Sequence, residues 1–198
     1  MNAFWNERYA QPEYAYGVEA NLFLQHSLHG LPPGRLLLPA EGEGRNAVHA
    51  AKLGWRVDAF DPSERGRDKA LSLAEQEGVS INYTIAGFDS AELEEGAYDA
   101  MALIFAHCHQ DHRRRIHRAL ARALRSGGLL IMEAYTKEQL RHGTGGPPAL
   151  EMLYTADDLR EDFAGFEIEG LDVVETEIQE GRYHHGLSSV VRLLGRKH

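Results

Sequence analysis

The sequence predicts an α/β fold in which a parallel sheet is closed by a C-terminal antiparallel hairpin. Short apolar runs alternate with helical segments along most of the chain, which is typical of repeated strand–helix–strand units. The helical runs stop at glycines, as helices commonly do. The last two apolar runs are joined only by a turn at 181–186, which is too short for a helical crossover, so we expect these strands to be antiparallel.

Seven strands and four helices follow from this pattern. The predicted strands cover 36–38, 57–60, 81–85, 100–106, 129–134, 168–178 and 187–194. The predicted helices cover 45–53, 64–77, 111–125 and 156–163, and the third ends at Ser126-Gly127-Gly128. A Gly/Pro segment at 30–34 separates an aromatic N-terminal region from the sheet. We therefore predict one domain, 1–198, with 1–30 forming a helical arm or lid.

The composition argues against several classes of protein. A chain of 198 residues with 43% apolar residues suits one globular domain. The net charge of −9 argues against a nucleic-acid partner, because phosphate binding needs a concentrated basic surface. Cys108 is the single cysteine, which excludes an internal disulfide and fits a reducing compartment. No secretory signal or membrane-spanning run is visible, so we expect a cytoplasmic protein without membrane contact; its oligomeric state cannot be read from the sequence.

The turn after the first strand is the most informative segment. It contains Gly42 and Gly44, which would let a ligand approach the backbone at the carboxyl end of a strand. The second strand ends in Asp61, near the spacing expected of a ribose-binding carboxylate. The alternatives are a plain strand–helix turn and an aspartate that caps the next helix. The combination of the two features favours a ribose site.

The glycines do not match a dinucleotide site. Position 47 is Ala, so the full Gly-x-Gly-x-x-Gly pattern is absent. Glu41 and Glu43 also place negative charge where a pyrophosphate would bind. These acids favour a ligand that carries a cation.

The stretch from Ala40 to Ala47, with Asp61, resembles motif I and the acidic loop of class I S-adenosylmethionine-dependent methyltransferases. The tellurite-resistance/thiopurine-methyltransferase-like branch is the most similar. Further matches are Phe4-Trp-Asn-Glu-Arg-Tyr9 with Tyr16-Gly17 and Asn21, Tyr98-Asp99-Ala100, and Leu124-Arg-Ser-Gly-Gly-Leu-Leu-Ile131. The resemblance implies a Rossmann-like, mostly parallel seven-stranded sheet with helices on both faces, and S-adenosyl-L-methionine as cofactor. One departure is Leu38-Pro39, where the family often has an acid.

The resemblance also assigns roles by position. Glu41, or less readily Glu43, would hold the methionine ammonium group, and Asp89 would lie near the adenine amine. Phe105 would pass beside the adenosine, although simple core packing explains it equally well. The residues expected to contact the cofactor are Ala40, Glu41, Gly42, Glu43, Gly44, Asn46, Asp61, Pro62, Ser63, Gly87, Phe88, Asp89, Phe105 and Ala106.

The implied reaction is methyl transfer to a small-molecule acceptor: a thiol, a hydroxyl or a chalcogen oxyanion. His107 is the candidate general base if the acceptor must lose a proton. Trp5, Tyr9, Tyr16 and His184 are candidates for a lid or an acceptor pocket. The alternative is that the aromatic residues only pack a surface helix onto the sheet and that His184 only decorates a hairpin turn.

Two other functions remain open. The string His107-Cys-His-Gln-Asp-His112 matches the H-x-H-x-D-H pattern of metallo-β-lactamase-like zinc hydrolases, with His107, His109, Asp111 and His112 as ligands. Against it, Arg113-Arg-Arg115 follows at once and the segment leads directly into a helix, so we expect no metal site. The second alternative is a non-catalytic module that binds S-adenosylmethionine.

Overall fold

The computed structural model describes residues 2–198, and side chains from Ala3 onward; Met1, which falls in the predicted arm, lies outside the described residues. The strands are β1 (Arg35–Pro39), β2 (Arg56–Asp61), β3 (Asn82–Ile85), β4 (Tyr98–Ile104), β5 (Leu124–Tyr135), β6 (Phe166–Glu180) and β7 (His184–Lys197). The helices are α1 (Asn2–Arg8), α2 (Leu22–Leu28), α3 (Arg45–Lys52), α4 (Glu64–Gln76), α5 (Gln110–Ala123) and α6 (Ala156–Asp162). Two 3-10 turns cover Lys137–Arg141 and Leu150–Met152. All seven predicted strands and all four predicted helices are present.

The sheet has the order β3-β2-β1-β4-β5-β7-β6. The first five strands are parallel, and β7 runs antiparallel to both of its neighbours, β5 and β6. The predicted fold class is therefore confirmed. The parallel strands and β6 run in the same direction. The carboxyl ends of β1, β2, β4, β5 and β6 therefore lie at one edge of the sheet, which we call the carboxyl edge.

Helices cover both faces of the sheet because the strand residues alternate. Leu37 of β1 packs with α5 and α6, whereas Leu36 and Leu38 on either side of it pack with α2 and α3. All three leucines are almost completely buried. Within residues 2–198, no helix combines the length and the apolar character needed to cross a membrane.

The boundary between α5 and β5 differs from the prediction. The helix ends at Ala123, and β5 begins at Leu124, so the predicted stop at Ser126-Gly127-Gly128 lies inside the strand. Leu124 is fully buried and pairs with Tyr98 of β4, and the register shifts before the next pair. The pairs Tyr98–Leu124 and Ala100–Leu129 enclose residues 125–128 as a bulge, so β5 includes the segment that locally favours a turn without pairing it.

The N-terminal arm and the β6–β7 hairpin meet above the carboxyl edge. Arg182 N donates to Ala15 O at 3.0 Å, and the Arg8 guanidinium lies 3.8 Å from the centre of the Tyr183 ring. A Cβ on Gly181 would lie 2.5 Å from the backbone nitrogen of Gly17, so this close crossing requires glycine. The arm and the hairpin tip together form a cover over the edge.

Candidate active site

The turn after β1 has an unusual backbone. Ala40 has a φ of 53°, which is uncommon for a residue with a side chain, and Gly42 and Gly44 have φ values of 65° and 89°. A Cβ on Gly44 would lie 2.4 Å from the Cβ of Ala70, so Gly44 is needed where α3 packs on α4. A Cβ on Gly42 would lie 2.7 Å from the Tyr9 hydroxyl. Gly42, rather than Gly44, therefore faces the arm and the candidate site.

Asp61 reaches this turn from the end of β2. Its side chain accepts hydrogen bonds from Ser63 N at 2.9 Å and from Gly42 N at 3.3 Å. Burial raises the pKa of Asp61 to about 6, although the two backbone hydrogen bonds oppose the shift. Ser63, not Asp61, caps α4, because its hydroxyl accepts from Gly66 N at 3.0 Å. The capping interpretation of Asp61 is therefore wrong, whereas Pro62 and Ser63 shape the loop beside it.

The two glutamates of the turn have different partners. Glu41 accepts a hydrogen bond from Ala47 N at 2.8 Å, and burial raises the pKa of its carboxyl to about 7. Glu43 is bound by Lys69 Nζ and by Ala15 N, both at 2.7 Å. Because both carboxylate oxygens of Glu43 already accept hydrogen bonds from these groups, Glu41 is the better candidate to bind a cationic ligand. Asn46, another predicted contact, accepts from the backbone of the arm at Asn21 N, 2.9 Å away.

The predicted adenine segment lies after β3. The Phe88 ring meets the Phe60 ring edge to face, with centroids 6.3 Å apart, and Gly87 N donates to Ser90 Oγ at 2.9 Å. Asp89 forms an exposed ion pair with Arg115 of α5 at 2.6 Å, and this arginine lowers the pKa of Asp89. Exposed pairs are weak, so the ion pair leaves Asp89 able to exchange partners.

A second strained residue ends β4. Phe105 has a φ of 51°, and its ring stacks on Tyr135 with centroids 4.6 Å apart and meets His184 at 4.7 Å. Strained backbone often marks functional sites. Ala106 next to it is buried in the core.

His107 does not suit the role of general base. Its Nδ1–H donates to Met152 O at 2.7 Å, and its Nε2 accepts from Tyr135 N at 3.2 Å. Burial lowers the pKa of His107 to about 4, against the opposing bond to Met152. Both ring nitrogens are thus occupied by backbone groups, which supports a structural role for His107; the general-base role stays a prediction.

The four predicted lid residues form one row. Trp5 stacks on Tyr9 with ring centroids 5.6 Å apart, Tyr9 meets Tyr16 at 6.5 Å, and Tyr16 meets His184 at 4.4 Å. Tyr9 is only 5% exposed and lies over Gly42. The structure therefore brings these residues together across the carboxyl edge.

Sequence reasoning missed a buried polar cluster beside this row. Asn21 Nδ2 donates to Glu133 at 2.6 Å and to Glu180 at 2.9 Å. Arg45 binds the other oxygen of Glu180 at 2.6 Å, and Arg192 binds the other oxygen of Glu133 at 2.5 Å. An acid within the apolar run of β5 is the signal that could have revealed Glu133.

The histidine string shows no zinc site. His109 caps α5 by accepting from Asp111 N, and the exposed His112 lies in the first turn of this helix. Arg113, which directly follows the string, binds the Asp162 carboxylate at 2.6 Å. Within residues 2–198, no group of three or more His, Cys, Asp or Glu side chains is arranged to hold a metal ion.

Comparisons with known proteins agree with this architecture. Residues 39–128 match the family described as "Methyltransferase domain". The chain is 30% identical over 115 residues to a ubiquinone biosynthesis O-methyltransferase of Methylocella silvestris, covering 58% of this chain and 44% of that protein. It is also 30% identical over 103 residues to a sarcosine/dimethylglycine N-methyltransferase of Halorhodospira halochloris, covering 50% of this chain and 37% of that protein.

The fold extends over the whole chain. TehB from Haemophilus influenzae superposes with a TM-score of 0.75 and 16% identity, covering 100% of this chain and 67% of that one. The chain spans less than half the length of the two curated relatives. The likeness to methyltransferases in sequence is therefore concentrated in residues 39–128, whereas the likeness in fold covers the whole chain.

Proposed function

We propose that the protein transfers a methyl group from S-adenosyl-L-methionine to a small-molecule acceptor. One observation carries the proposal: the strained turn after β1 contacts Asp61, whose carboxylate accepts a hydrogen bond from Gly42 N at 3.3 Å. The match of residues 39–128 to a methyltransferase domain covers these same residues and supports the proposal.

The side chains at the turn fit this cofactor. Glu41 and Asp61 are buried carboxyls with raised pKa values, and such groups are costly unless a ligand compensates them. A ribose diol would offer Asp61 two hydrogen-bond donors, and an ammonium group would offer Glu41 a cation. Gly42 has no side chain to obstruct the approach, and Phe88 and Phe105 would flank the adenosine.

When bound, the cofactor supplies an electrophilic methyl group on a cationic sulfur. The chain contributes position and the exclusion of water, which can lower such a barrier without a covalent enzyme intermediate. Tyr9 and Tyr16 provide the exclusion, because they cover the carboxyl edge. Tyr9 must shift from Gly42 to admit the cofactor.

Assignment to the tellurite-resistance/thiopurine-methyltransferase-like branch is part of this proposal. It is supported by the arm, since Tyr16, Gly17 and Asn21 of the matching N-terminal motifs all lie against the carboxyl edge or its hairpin. The branch does not fix the acceptor.

Calorimetric titration with S-adenosylhomocysteine tests the proposal, with NAD as the competing ligand class. Gly42→Ala is the informative variant and Gly78→Ala its control: both glycines have φ near +66°, at 65° and 68°, but a Cβ on Gly78 meets nothing within 4 Å. Both variants suffer similar backbone strain. We expect tight binding to the wild type and to Gly78→Ala, and binding weakened about tenfold or more by Gly42→Ala. Equal binding to both variants, or binding of NAD alone, would contradict the proposal.

A further inference from the structure

Two buried polar atoms beside Phe105 have no hydrogen-bond partner among the described residues. They are the Tyr135 hydroxyl and Nδ1 of His184. The two rings lie 5.2 Å apart, and Tyr135 is completely buried. Buried polar groups are nearly always paired, and leaving one unpaired is costly. Nδ1 of His184 faces Glu180, as described next, so the unpaired Tyr135 hydroxyl beside the strained end of β4 is the atom that points to a ligand.

Glu180 lies behind the imidazole of His184. The two residues face each other across the hairpin, and Nδ1 is 3.6 Å from Glu180 Oε2. Arg45 and Asn21 fix the carboxylate from the other side, at 2.6 and 2.9 Å. A separation of 3.6 Å exceeds a hydrogen bond, but contacts of this kind are often long in ligand-free enzymes. A carboxylate facing Nδ1 favours the tautomer with the proton on Nδ1 and the lone pair on Nε2.

Burial is the main reason that the imidazole of His184 favours its neutral form. Burial lowers the pKa of His184, the neighbouring Glu180 raises it, and Arg45 and Arg8 lower it again; the balance lies below the usual value. The titratable and charged groups that approach the ring from the packed elements are Arg8 of α1, Tyr16 of the arm, Arg45 of α3, His107 after β4, Tyr135 of β5 and Glu180 of β6. A neutral imidazole is able to accept a proton.

We propose, on the basis of the function proposed above, that Tyr135 and the Glu180–His184 pair bind a neutral hydroxyl-bearing acceptor and that His184 takes its proton. The acceptor oxygen forms a bond to the methyl carbon as the carbon–sulfur bond breaks, with that electron pair left on sulfur. The hydroxyl proton passes to Nε2, and Glu180 stabilises the resulting imidazolium before solvent removes the proton. The Tyr135 hydroxyl donates to the acceptor oxygen and positions it.

The surroundings favour this acceptor over an oxyanion. Three arginines lie near His184, and each already has a partner: Arg45 pairs with Glu180, Arg192 pairs with Glu133, and Arg8 donates to the Tyr16 hydroxyl and lies over the Tyr183 ring. An anion placed against the ring of His184 would also face the Glu180 carboxylate. The ring faces of Phe105 and Tyr16 instead suit a flat or apolar acceptor body.

Nitrogen-15 NMR of the histidine rings tests the proposal without turnover. His184→Gln assigns the signals, and His185→Gln is the matched control, because His185 is its exposed neighbour in the sequence. We expect the His184 ring to be neutral near pH 7 with its proton on Nδ1. A proton on Nε2, or a charged ring at that pH, would overturn the proton-accepting role.

Phenol is the probe for the acceptor site, added to the protein saturated with S-adenosylhomocysteine. We expect it to shift the Nε2 resonance of His184, and we expect neither benzene nor tellurite to do so. Tyr135→Phe should weaken the phenol response about tenfold and leave the affinity for S-adenosylhomocysteine within twofold. An Nε2 resonance unmoved by phenol, or moved by tellurite, would refute the acceptor class, whereas failure to bind S-adenosylhomocysteine would refute the proposed function instead.

Discussion

Replacing Asp61 by asparagine should stabilise the ligand-free protein at neutral pH and weaken cofactor binding. Asp61 is 4% exposed, and its hydrogen-bond partners, Ser63 N and Gly42 N, are uncharged backbone amides. Asparagine keeps the shape and one acceptor oxygen but removes the charge. The variant therefore separates the cost of burying the charge from the geometry of the loop.

The pKa of Asp61 sets the magnitude. A rise from 3.8 to about 6 corresponds to about 3 kcal/mol, at 1.36 kcal/mol per pH unit. The pKa of Asp61 is higher in the folded protein than in the unfolded chain. The wild type therefore has this free energy of unfolding in full at low pH, below the unfolded pKa, and loses it as the pH rises through the folded pKa. The wild type should thus lose about 3 kcal/mol relative to Asp61→Asn between pH 3 and pH 8. Loss of a hydrogen bond donated by a ribose hydroxyl to the charged Asp61 carboxylate should weaken S-adenosylhomocysteine binding by about 1.5–3 kcal/mol.

Urea unfolding at several pH values, together with calorimetric titration, measures both effects. Asp58→Asn is the control on the same strand, because burial raises the pKa of Asp58 but hydrogen bonds from Asn82 and Arg35 lower it by more. Asp58→Asn should therefore lower the stability at neutral pH, opposite to Asp61→Asn. Its affinity for S-adenosylhomocysteine should match that of the wild type. A pH-independent stability difference for Asp61→Asn, or unchanged affinity, would refute the reasoning.

Three further predictions concern the unpaired Tyr135 hydroxyl, the lid and His107. Tyr135→Phe removes an unpaired buried hydroxyl and should leave the free energy of unfolding unchanged or raised. Tyr154→Phe loses the 2.7 Å hydrogen bond from Cys108 N and should lower it by about 1–2 kcal/mol in urea unfolding. A larger loss for Tyr135→Phe than for Tyr154→Phe would contradict these pairings. Tryptophan fluorescence of Trp55→Phe, which reports Trp5 alone, should change on adding S-adenosylhomocysteine as Tyr9 leaves Gly42, and a constant spectrum would speak against a moving lid. His107→Ala should destabilise the protein by about 2 kcal/mol or more, since it leaves two buried backbone groups unpaired, and full stability with lost turnover would restore the catalytic interpretation.

The sequence predicted local features better than contacts between distant segments. The turn at Gly42 and the strand end at Asp61 are each defined by a few adjacent residues, and parallel pairing of β1 with β2 brings them together. The role of His107 depends on Met152, which a 3-10 turn brings close from a distant part of the chain. No local pattern contains that partner.

The buried acids show the same limit. Glu133 lies within an apolar strand, and its function depends on Asn21 of the arm and Arg192 of β7. Periodicity assigned this strand to the core and gave no reason to single out Tyr135 at its end. Which buried polar atoms remain unpaired depends on the packed side chains, so only the three-dimensional arrangement reveals them.

The position of β7 in the sheet affects how the chain can fold while it is being synthesised. Of the seven strands, β7 is translated last, yet it lies inside the sheet, between β5 and β6. Until it emerges, β6 has no neighbour to join and β5 is an exposed edge that can pair with other chains. A stop codon within β7 would therefore leave both β6 and the edge of β5 without their partner strand. Such a truncated chain would retain the Gly42 turn and Asp61 but would be prone to aggregation.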